Sequence, residues 1–269
     1  MQACDARIQQ RIGALMQRVL IVDAHAQSAK LLASLLRDIG HCQIWTAADA
    51  ARAAVVAQQA EPLLIFVDQS AEVDAAGFTR HIRRGELACR KAPVIMFAGQ
   101  ATAAAIIGAR DAGVHEFLRK PFTIKDLLRR LEAVAVKPRD WVEGIGYIGP
   151  DRRRFNSGDY SGPLKRRVDH AVTPDEARIC QALKILKSAL GAIEADPRQA
   201  LRSMFAQADD LRDSGRAKSD MIFRSAAVAF GQKLIGVTPE TLRREDIEPL
   251  VRRLLVFLPS EAAPARPAA

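Results

Sequence analysis

Short apolar runs alternate with helix-period segments from residue 18 to residue 136, and this alternation limits the fold more than any other feature of the sequence. Buried strands are predicted at 19–22, 43–46, 63–67, 94–97 and 116–119. Each is followed by apolar residues at helical spacing, at 29–39, 49–59, 78–84, 103–112 and 124–134. Strands and helices in strict alternation predict an α/β domain, with a parallel sheet covered by helices on both faces.

The residues just beyond the strands are the candidate functional residues, because ligands of such sheets bind at the carboxyl ends of the strands. Asp23 follows the first predicted strand and Asp68 follows the third. Ala98 follows the fourth strand and Lys120 follows the fifth. We therefore expect two carboxylates and one ammonium to meet at one edge of the sheet.

Four segments of this region resemble the receiver family of two-component signalling. They are VLIVD at 19–23, LIFVD at 64–68, PVIMF at 93–97 and AGVHEFLRKPF at 112–122. The last is the most specific, because a Lys-Pro peptide directly after the fifth strand is a hallmark of that family. The resemblance implies a flavodoxin-like, doubly wound sheet of five parallel strands, with a Lys-Pro bond that is typically cis.

The resemblance also implies a chemistry for the strand ends. In receivers one aspartate attacks a phosphorus atom and becomes an acyl phosphate, while acids hold Mg²⁺ beside it. By position, Asp68 matches the phospho-acceptor, Asp23 and Asp68 match metal-binding acids, and Lys120 matches the lysine that contacts a phosphoryl oxygen. Phe117 occupies the position of the aromatic switch residue.

Two positions depart from the family pattern and change the expected function. The second metal-binding acid is replaced by Ala24, and the residue whose hydroxyl should contact the phosphoryl group is Ala98. Glu72 is a further candidate for the missing carboxylate. Fewer anionic ligands weaken the binding of a hard, hydrated cation, so weak Mg²⁺ binding is predicted. No other cofactor and no enzymatic activity are expected.

We predict an atypical response regulator that acts as a signalling adaptor through protein–protein interaction. The expected partner is a histidine kinase or another signalling protein, or a second copy of the chain. The alternative is a conventional aspartate-phosphorylated response regulator in a phosphorelay, because Asp68 and Lys120 are both retained.

Residues 137–172 are rich in glycine, proline and basic residues and are predicted to be a linker or extended arm. The arm holds a repeat, YIGPDRRR at 147–154 and YSGPLKRR at 160–167. Guanidinium groups pair with phosphate and stack on bases, so a cyclic-di-GMP effector is a second alternative. The candidate anion- or nucleotide-binding residues are Arg152, Arg153, Arg154, Lys165, Arg166 and Arg167. A basic, solvated arm that docks on the receiver or on an acidic partner is the favoured interpretation.

Residues 173–258 are predicted to form an α-helical C-terminal bundle, because apolar residues recur at helical spacing. One stripe comprises Ile179, Leu183, Leu186, Leu190 and Ile193, and a second comprises Leu201, Met204, Phe205, Ala208 and Leu211. The predicted organisation is a helical extension at 1–17, a receiver domain at 18–136, the arm at 137–172, the helical domain at 173–258 and a disordered tail at 259–269. The extension is expected to pack on the domain or on a second copy.

Composition and charge exclude several classes of function. The net charge of +9 is spread along the chain, whereas nucleic-acid binding usually needs one strongly basic face. The 4 cysteines are far apart, which excludes a zinc site of cysteine spacing and argues against a disulfide framework. No apolar run approaches the ~18 residues of a membrane span, and a cytoplasmic protein is expected.

Overall fold

The computed structural model describes residues 2–152, 174–217 and 220–258, which form two units with separate cores. The first unit contains the residues up to 142 together with 147–152, and the second contains 143–146 and the helices from 174 onward. Most of the predicted arm, at 153–172, lies outside the described residues, as do residue 173 and the predicted disordered tail at 259–269.

The first unit is built on a five-stranded parallel sheet in the order β2-β1-β3-β4-β5. Its strands are β1 (Arg18–Val22), β2 (Gln43–Ala47), β3 (Leu64–Gln69), β4 (Val94–Ala98) and β5 (Glu116–Arg119). Its helices are α1 (Gln2–Met16), α2 (Ala26–Ile39), α3 (Ala50–Ala60), α4 (Ala75–Arg84), α5 (Ala103–Ala112) and α6 (Ile124–Val136), with a 3₁₀ turn at Ala88–Lys91. The predicted flavodoxin-like fold is confirmed.

Alternate residues of the central strands build two different cores, one on each face of the sheet. In β3, Ile65 and Val67 pack into the core that also contains residues of α3 and α4. Leu64 and Phe66 of the same strand pack into the core that contains residues of α2 and α6. Successive side chains of a strand point to opposite faces, so a continuous apolar run is what a sheet covered on both sides requires.

Side-chain caps begin the helices that follow β4 and β5. Thr102 accepts a hydrogen bond from Ala105 N at the start of α5. Thr123 and Asp126 form a reciprocal capping box at the start of α6. These caps satisfy N–H groups that the first turn of a helix leaves without partners, so the two helices begin at defined positions.

The N-terminal helix α1 packs on the first unit through its apolar side. Ile12 and Met16 are buried in the core between α2 and α6, and Ile8 and Leu15 are half-buried against it. Its helical neighbour is α6. Of the two sequence-based alternatives, the described contacts support packing on the domain.

The first part of the predicted arm is a two-stranded sheet rather than an irregular linker. Its strands are β6 (Trp141–Glu143) and β7 (Ile148–Pro150). The Trp141 ring lies 5.3 Å from the guanidinium carbon of Arg83, a side chain that is fully buried. Arg83 donates to the carbonyl oxygens of Gly113 and Ala92. Strands this short depend on such contacts with distant residues, which periodicity does not reveal.

Gly113 shows how closely this ribbon approaches the sheet. Its φ of +90° ends α5, a conformation that favours glycine. A Cβ at this position would lie 2.6 Å from Ile148 O in β7. Glycine is therefore needed both for the turn and for the contact with the ribbon.

The second unit is a bundle of four described helices, α7 (Pro174–Gly191), α8 (Pro197–Ala217), α9 (Met221–Leu234) and α10 (Arg244–Leu255). Each helix packs on the next, and α10 packs on α7. The first predicted stripe is buried throughout, from Ile179 to Ile193. The second is buried except at Phe205, which is 41% exposed and corrects the prediction for that residue. Gln199 ties residues 143–144 to α8, because its Nε2 donates to Glu143 Oε1 and Gly144 O, both at 3.2 Å.

Within the described part of the chain, no helix combines the length and apolar character needed to cross a membrane.

Candidate functional site

The carboxyl ends of β1, β3, β4 and β5 bring the candidate residues to one edge of the parallel sheet. Asp23 follows β1, and its backbone N–H donates to Ala47 O at the end of β2. Asp68 lies near the end of β3, opposite Phe97 of β4 in the register. Both aspartates are buried, at 6% and 5% exposed. Two acids are thus fixed at the floor of the site by the strands themselves.

Lys120 holds the two aspartates together. Its Nζ lies 2.8 Å from Asp68 Oδ1 and 3.4 Å from Asp23 Oδ2. The same ammonium lies 3.4 Å from Ser28 Oγ at the first turns of α2. The Lys120–Pro121 peptide is cis, and Lys120 N donates to Ala98 O. A single cation therefore reduces the repulsion between two buried carboxylates.

His25 is part of the site, although the sequence analysis did not identify it. Its backbone N–H donates to Asp23 Oδ1 at 2.8 Å, and its ring Nδ1 lies 3.7 Å from the same oxygen. The side chain of His25 is 69% exposed. Asp23, His25 and Asp68 each offer a ligand atom, and these atoms lie within 4.8 Å of one another. Its position two residues after a strand-end aspartate was the available signal.

The two alanines present methyl groups at this edge. Ala24 is half-buried against the core between α3 and the sheet, and Ala98 is buried at the end of β4. Ala98 pairs with Gln69 in the register, one residue beyond Asp68. Neither alanine side chain can coordinate a cation or donate a hydrogen bond. Phe117 lies on β5 and is 3% exposed, packed in the same core.

Glu72 lies outside the described cluster of metal-ligating groups. Hydrogen bonds from its own backbone N–H and from Ser70, together with the nearby His25, lower the pKa of its exposed carboxyl. The carboxylate thus stays ionised in the loop after β3, but it is not grouped with the two aspartates.

The donor set fits a hexacoordinate Mg²⁺ poorly. Mg²⁺ demands near-ideal octahedral oxygen coordination, and the cluster offers two carboxylates, an alanine methyl and an imidazole nitrogen. Among the described residues, Asp68 Oδ1 lies 2.8 Å from the Lys120 ammonium, and this ion pair occupies the oxygen that a cation would need.

Arg152 is the one member of the predicted arginine cluster that lies among the described residues. Its guanidinium carbon lies 4.4 Å above the centre of the Tyr147 ring, and NH1 lies 3.1 Å from Asp111 Oδ1. Arg153, Arg154, Lys165, Arg166 and Arg167 lie outside the described residues. The described start of the arm thus docks on the C-terminal end of α5.

Known proteins match the first unit. A family profile described as "Response regulator receiver domain" matches residues 19–132. A "Probable chemotaxis protein CheY" of Rhizobium etli is 31% identical over 118 residues, which are 44% of this chain and 91% of that protein. "Transcriptional regulatory protein PdtaR" of Mycobacterium tuberculosis is 30% identical over 132 residues, 47% of this chain and 60% of that protein.

Among solved structures, the chemotaxis response regulator CheY4 of Vibrio cholerae is similar, with 26% identity and a TM-score of 0.41, over 44% of this chain and 98% of that one. The family profile covers the strand-end aspartates and the lysine, and the Rhizobium relative is matched over 91% of its own length. The chain belongs to the response-regulator receiver family.

Proposed function

We propose that this chain is an atypical response regulator, which signals by binding other proteins and is phosphorylated poorly or not at all. The observation that carries the proposal is the pairing of Lys120 with both Asp23 and Asp68, beside two alanine methyl groups. The two acids and the lysine form an ion-paired cluster, so both carboxylates already have a cationic partner. Ala24 and Ala98 leave out the groups that would attract a cation and a phosphoryl group.

Two steps of phosphorylation are hindered at Asp68: its attack on the phosphodonor and its retention of the phosphoryl group. For attack, its carboxylate must leave the Lys120 ion pair while a cation offsets the charge of the incoming phosphoryl oxygens. For retention, Lys120 can contact one oxygen, but Ala98 donates nothing to another. A hydrogen bond to a charged group contributes on the order of 1.5–3 kcal/mol. Its loss alone would slow phosphorylation by roughly one to two powers of ten.

Phosphorylation tests this proposal directly. The full chain is incubated with a small phosphodonor and Mg²⁺, and Asp68 modification is followed on Phos-tag gels and by intact mass. We expect slow, substoichiometric labelling, and much faster labelling of the Ala24→Asp, Ala98→Thr double variant. Asp68→Asn in both backgrounds is the control for site identity. Rapid, stoichiometric, Asp68-dependent labelling of the parent would refute the proposal in favour of a conventional phosphorelay regulator.

The outer face of α9 supports the binding role. Met221, Val228 and Ile235 follow one another at intervals of seven residues along α9 and its C-cap, and they are 75%, 46% and 77% exposed. Ile222 is 75% exposed beside them. Exposed apolar residues that form a stripe mark protein-binding surfaces more often than scattered ones do. A seven-residue spacing suits the face of another helix, including that of a second copy.

The contacts of Arg152 favour a docked arm over a cyclic-di-GMP effector. Its guanidinium already pairs with Asp111 and stacks on Tyr147. A nucleotide phosphate would have to displace both contacts. The proposal therefore assigns the arm to docking and to partner contacts.

A further inference from the structure

A cavity of about 470 Å³ lies in the first unit, at the amino ends of β4 and β5. Helix α1, the end of α6 and the start of the ribbon also contribute residues to its lining. The strand-end aspartates follow the opposite, carboxyl ends of their strands, so the cavity is separate from the site that they form. Its volume falls within the range of about 300–1,000 Å³ that small-molecule sites occupy.

Most of the cavity lining is apolar. Leu15 of α1, Val134 and Ala135 of α6, and Pro93 before β4 contribute to it. The indole of Trp141 adds an aromatic ring. Removing apolar area from water favours binding, and a flat ring stacks well on an indole. The lining therefore suits a ligand with a flat, apolar body.

The charged side chains that line the cavity are cationic. They are Arg11, Lys91 and Arg139, and none of the described lining residues is acidic. Arg139 is already engaged, because it donates to His115 O. Arg11 and Lys91 are exposed, and neither has a carboxylate partner in the part of the chain that the structure describes. The Lys91 ammonium lies 5.8 Å from the centre of the Trp141 ring, so an ammonium without a carboxylate partner lies beside the aromatic group.

His115 also lines the cavity and supplies a neutral hydrogen-bond donor. Its Nδ1 accepts from Val94 N and from the Arg83 guanidinium, so the neutral ring carries its proton on Nε2. Among the described residues, none accepts a hydrogen bond from this Nε2–H. Burial lowers the pKa of His115, and so do the positive charges of Arg83 and Arg139, which also attract an anion.

We propose that this cavity binds a small organic anion with a flat, apolar body, such as an aromatic carboxylate. The apolar lining and Trp141 contact the body, and Arg11 and Lys91 pair with the carboxylate. A neutral aromatic compound would leave the two cations unused, and an inorganic anion would leave the apolar lining unused. The inference goes beyond the proposed adaptor function and does not rest on it.

Naphthoate is the probe for this site, and naphthalenemethanol is its neutral analogue of similar shape. In calorimetry on the full chain, naphthoate should bind at least about tenfold more tightly than the alcohol, a difference of about 1.4 kcal/mol. Inorganic phosphate at the same concentration should neither bind measurably nor displace naphthoate. The indole N–H signals in heteronuclear NMR spectra locate the ligand, because naphthoate should shift the signal of Trp141 and leave that of Trp45 unchanged. Trp45→Phe assigns the two signals.

Two variants test the charged and the apolar parts of the site separately. Arg11→Gln combined with Lys91→Gln should weaken naphthoate binding roughly tenfold, because each exposed charge pair changes an affinity by a few fold. The same double variant should leave naphthalenemethanol binding unchanged. Ala14→Phe adds a ring at an exposed position of α1 that lines the cavity, so it should block both ligands without removing a charge. Circular dichroism confirms that each variant is folded.

Lys30→Gln combined with Arg80→Gln is the matched control, because it removes the same charge from exposed positions of α2 and α4 outside the cavity lining. Both ligands should bind this control as they bind the parent. The proposal is overturned if naphthoate binds no more tightly than naphthalenemethanol, if phosphate displaces it, or if the control weakens binding as much as the loss of Arg11 and Lys91. It is also overturned if Ala14→Phe binds naphthoate like the parent, or if bound naphthoate leaves the Trp141 signal unmoved.

Discussion

At the scale of single residues, His115 shows how burial sets a protonation state. Its Nδ1 accepts hydrogen bonds from Val94 N at 3.2 Å and from the Arg83 guanidinium at 3.3 Å. Burial, together with the charges of Arg83 and Arg139, lowers the pKa of His115 well below 6.5. A proton on Nδ1 would face two donors and lie beside a buried guanidinium. The imidazole is therefore neutral in the folded protein.

The neutral His115 predicts acid sensitivity of the first unit. Below its ordinary pKa of about 6.5 the imidazole takes up a proton in the unfolded chain but not in the folded one, so stability falls as the pH falls. Between pH 7 and pH 5 the unfolding free energy should drop by up to about 2 kcal/mol from this group. Urea unfolding followed by tryptophan fluorescence measures it, because both tryptophans lie in the first unit.

His115→Asn is the informative variant, since an amide oxygen can accept the same hydrogen bonds without titrating. Its unfolding free energy should change less between pH 7 and pH 5 than that of the parent. Carboxyl groups whose pKa is lowered, such as Asp111 and Asp126, contribute only at more acidic pH. If the unfolding free energies of parent and variant changed in parallel with pH, His115 would not be the group responsible for the loss of stability in acid.

At the scale of elements, the outer face of α9 leads to a prediction about self-association. If the stripe of Met221, Val228 and Ile235 contacts a second copy, Val228→Asp should weaken the dimer by roughly one to two powers of ten, because it buries a charge at the contact. Light scattering on the full chain over a concentration series measures the dissociation constant. Leu31→Asp, at another 64% exposed apolar position, is the control and should leave it unchanged. A parent that stays monomeric at high concentration contradicts the use of this face by a second copy.

The elements of the first unit could be predicted from sequence because each carries its own signal. Buried parallel strands are continuous apolar runs and their helices keep a helical period, as β3 and α6 show. The meeting of Asp23, Asp68 and Lys120 could be predicted from the same alternation of strands and helices, because the carboxyl ends of parallel strands lie at one edge of the sheet. His25 was missed, because its position two residues after Asp23 does not separate a site residue from other exposed residues at a helix start.

Elements whose stability comes from distant contacts could not be predicted in the same way. Strands β6 and β7 are three residues each, and Trp141 is held by the cationic side chains of Arg83, Arg90 and Lys91. The Thr238-Pro239 pair is typical of a helix start, but α10 begins at Arg244. Thr238 and Thr241 instead form a hydrogen-bonded turn. A Thr-Pro pair favours a turn and a helix start by the same local chemistry, and tertiary packing decides between them.

At the scale of the whole molecule, the two units have separate cores and should respond separately to core substitutions. The helical unit has its own cluster of buried residues on α7, α8, α9 and α10. The parallel sheet has two further clusters that share no residue with it. Each unit thus has the apolar interior that an independently stable domain needs.

Leu186→Asp tests this separation, because Leu186 is 0% exposed in the core of the helical unit. A carboxylate in that apolar site should destabilise the helical unit by several kcal/mol. Far-UV circular dichroism, which reports helices of both units, should show partial unfolding at low urea. Tryptophan fluorescence should keep the parent's midpoint, because Trp45 and Trp141 belong to the first unit. Leu36→Asp, at a 0% exposed position of α2, is the reciprocal control and should lower the fluorescence midpoint instead. If Leu186→Asp shifted the circular dichroism and fluorescence transitions together, the two units would unfold cooperatively as one, despite their separate cores.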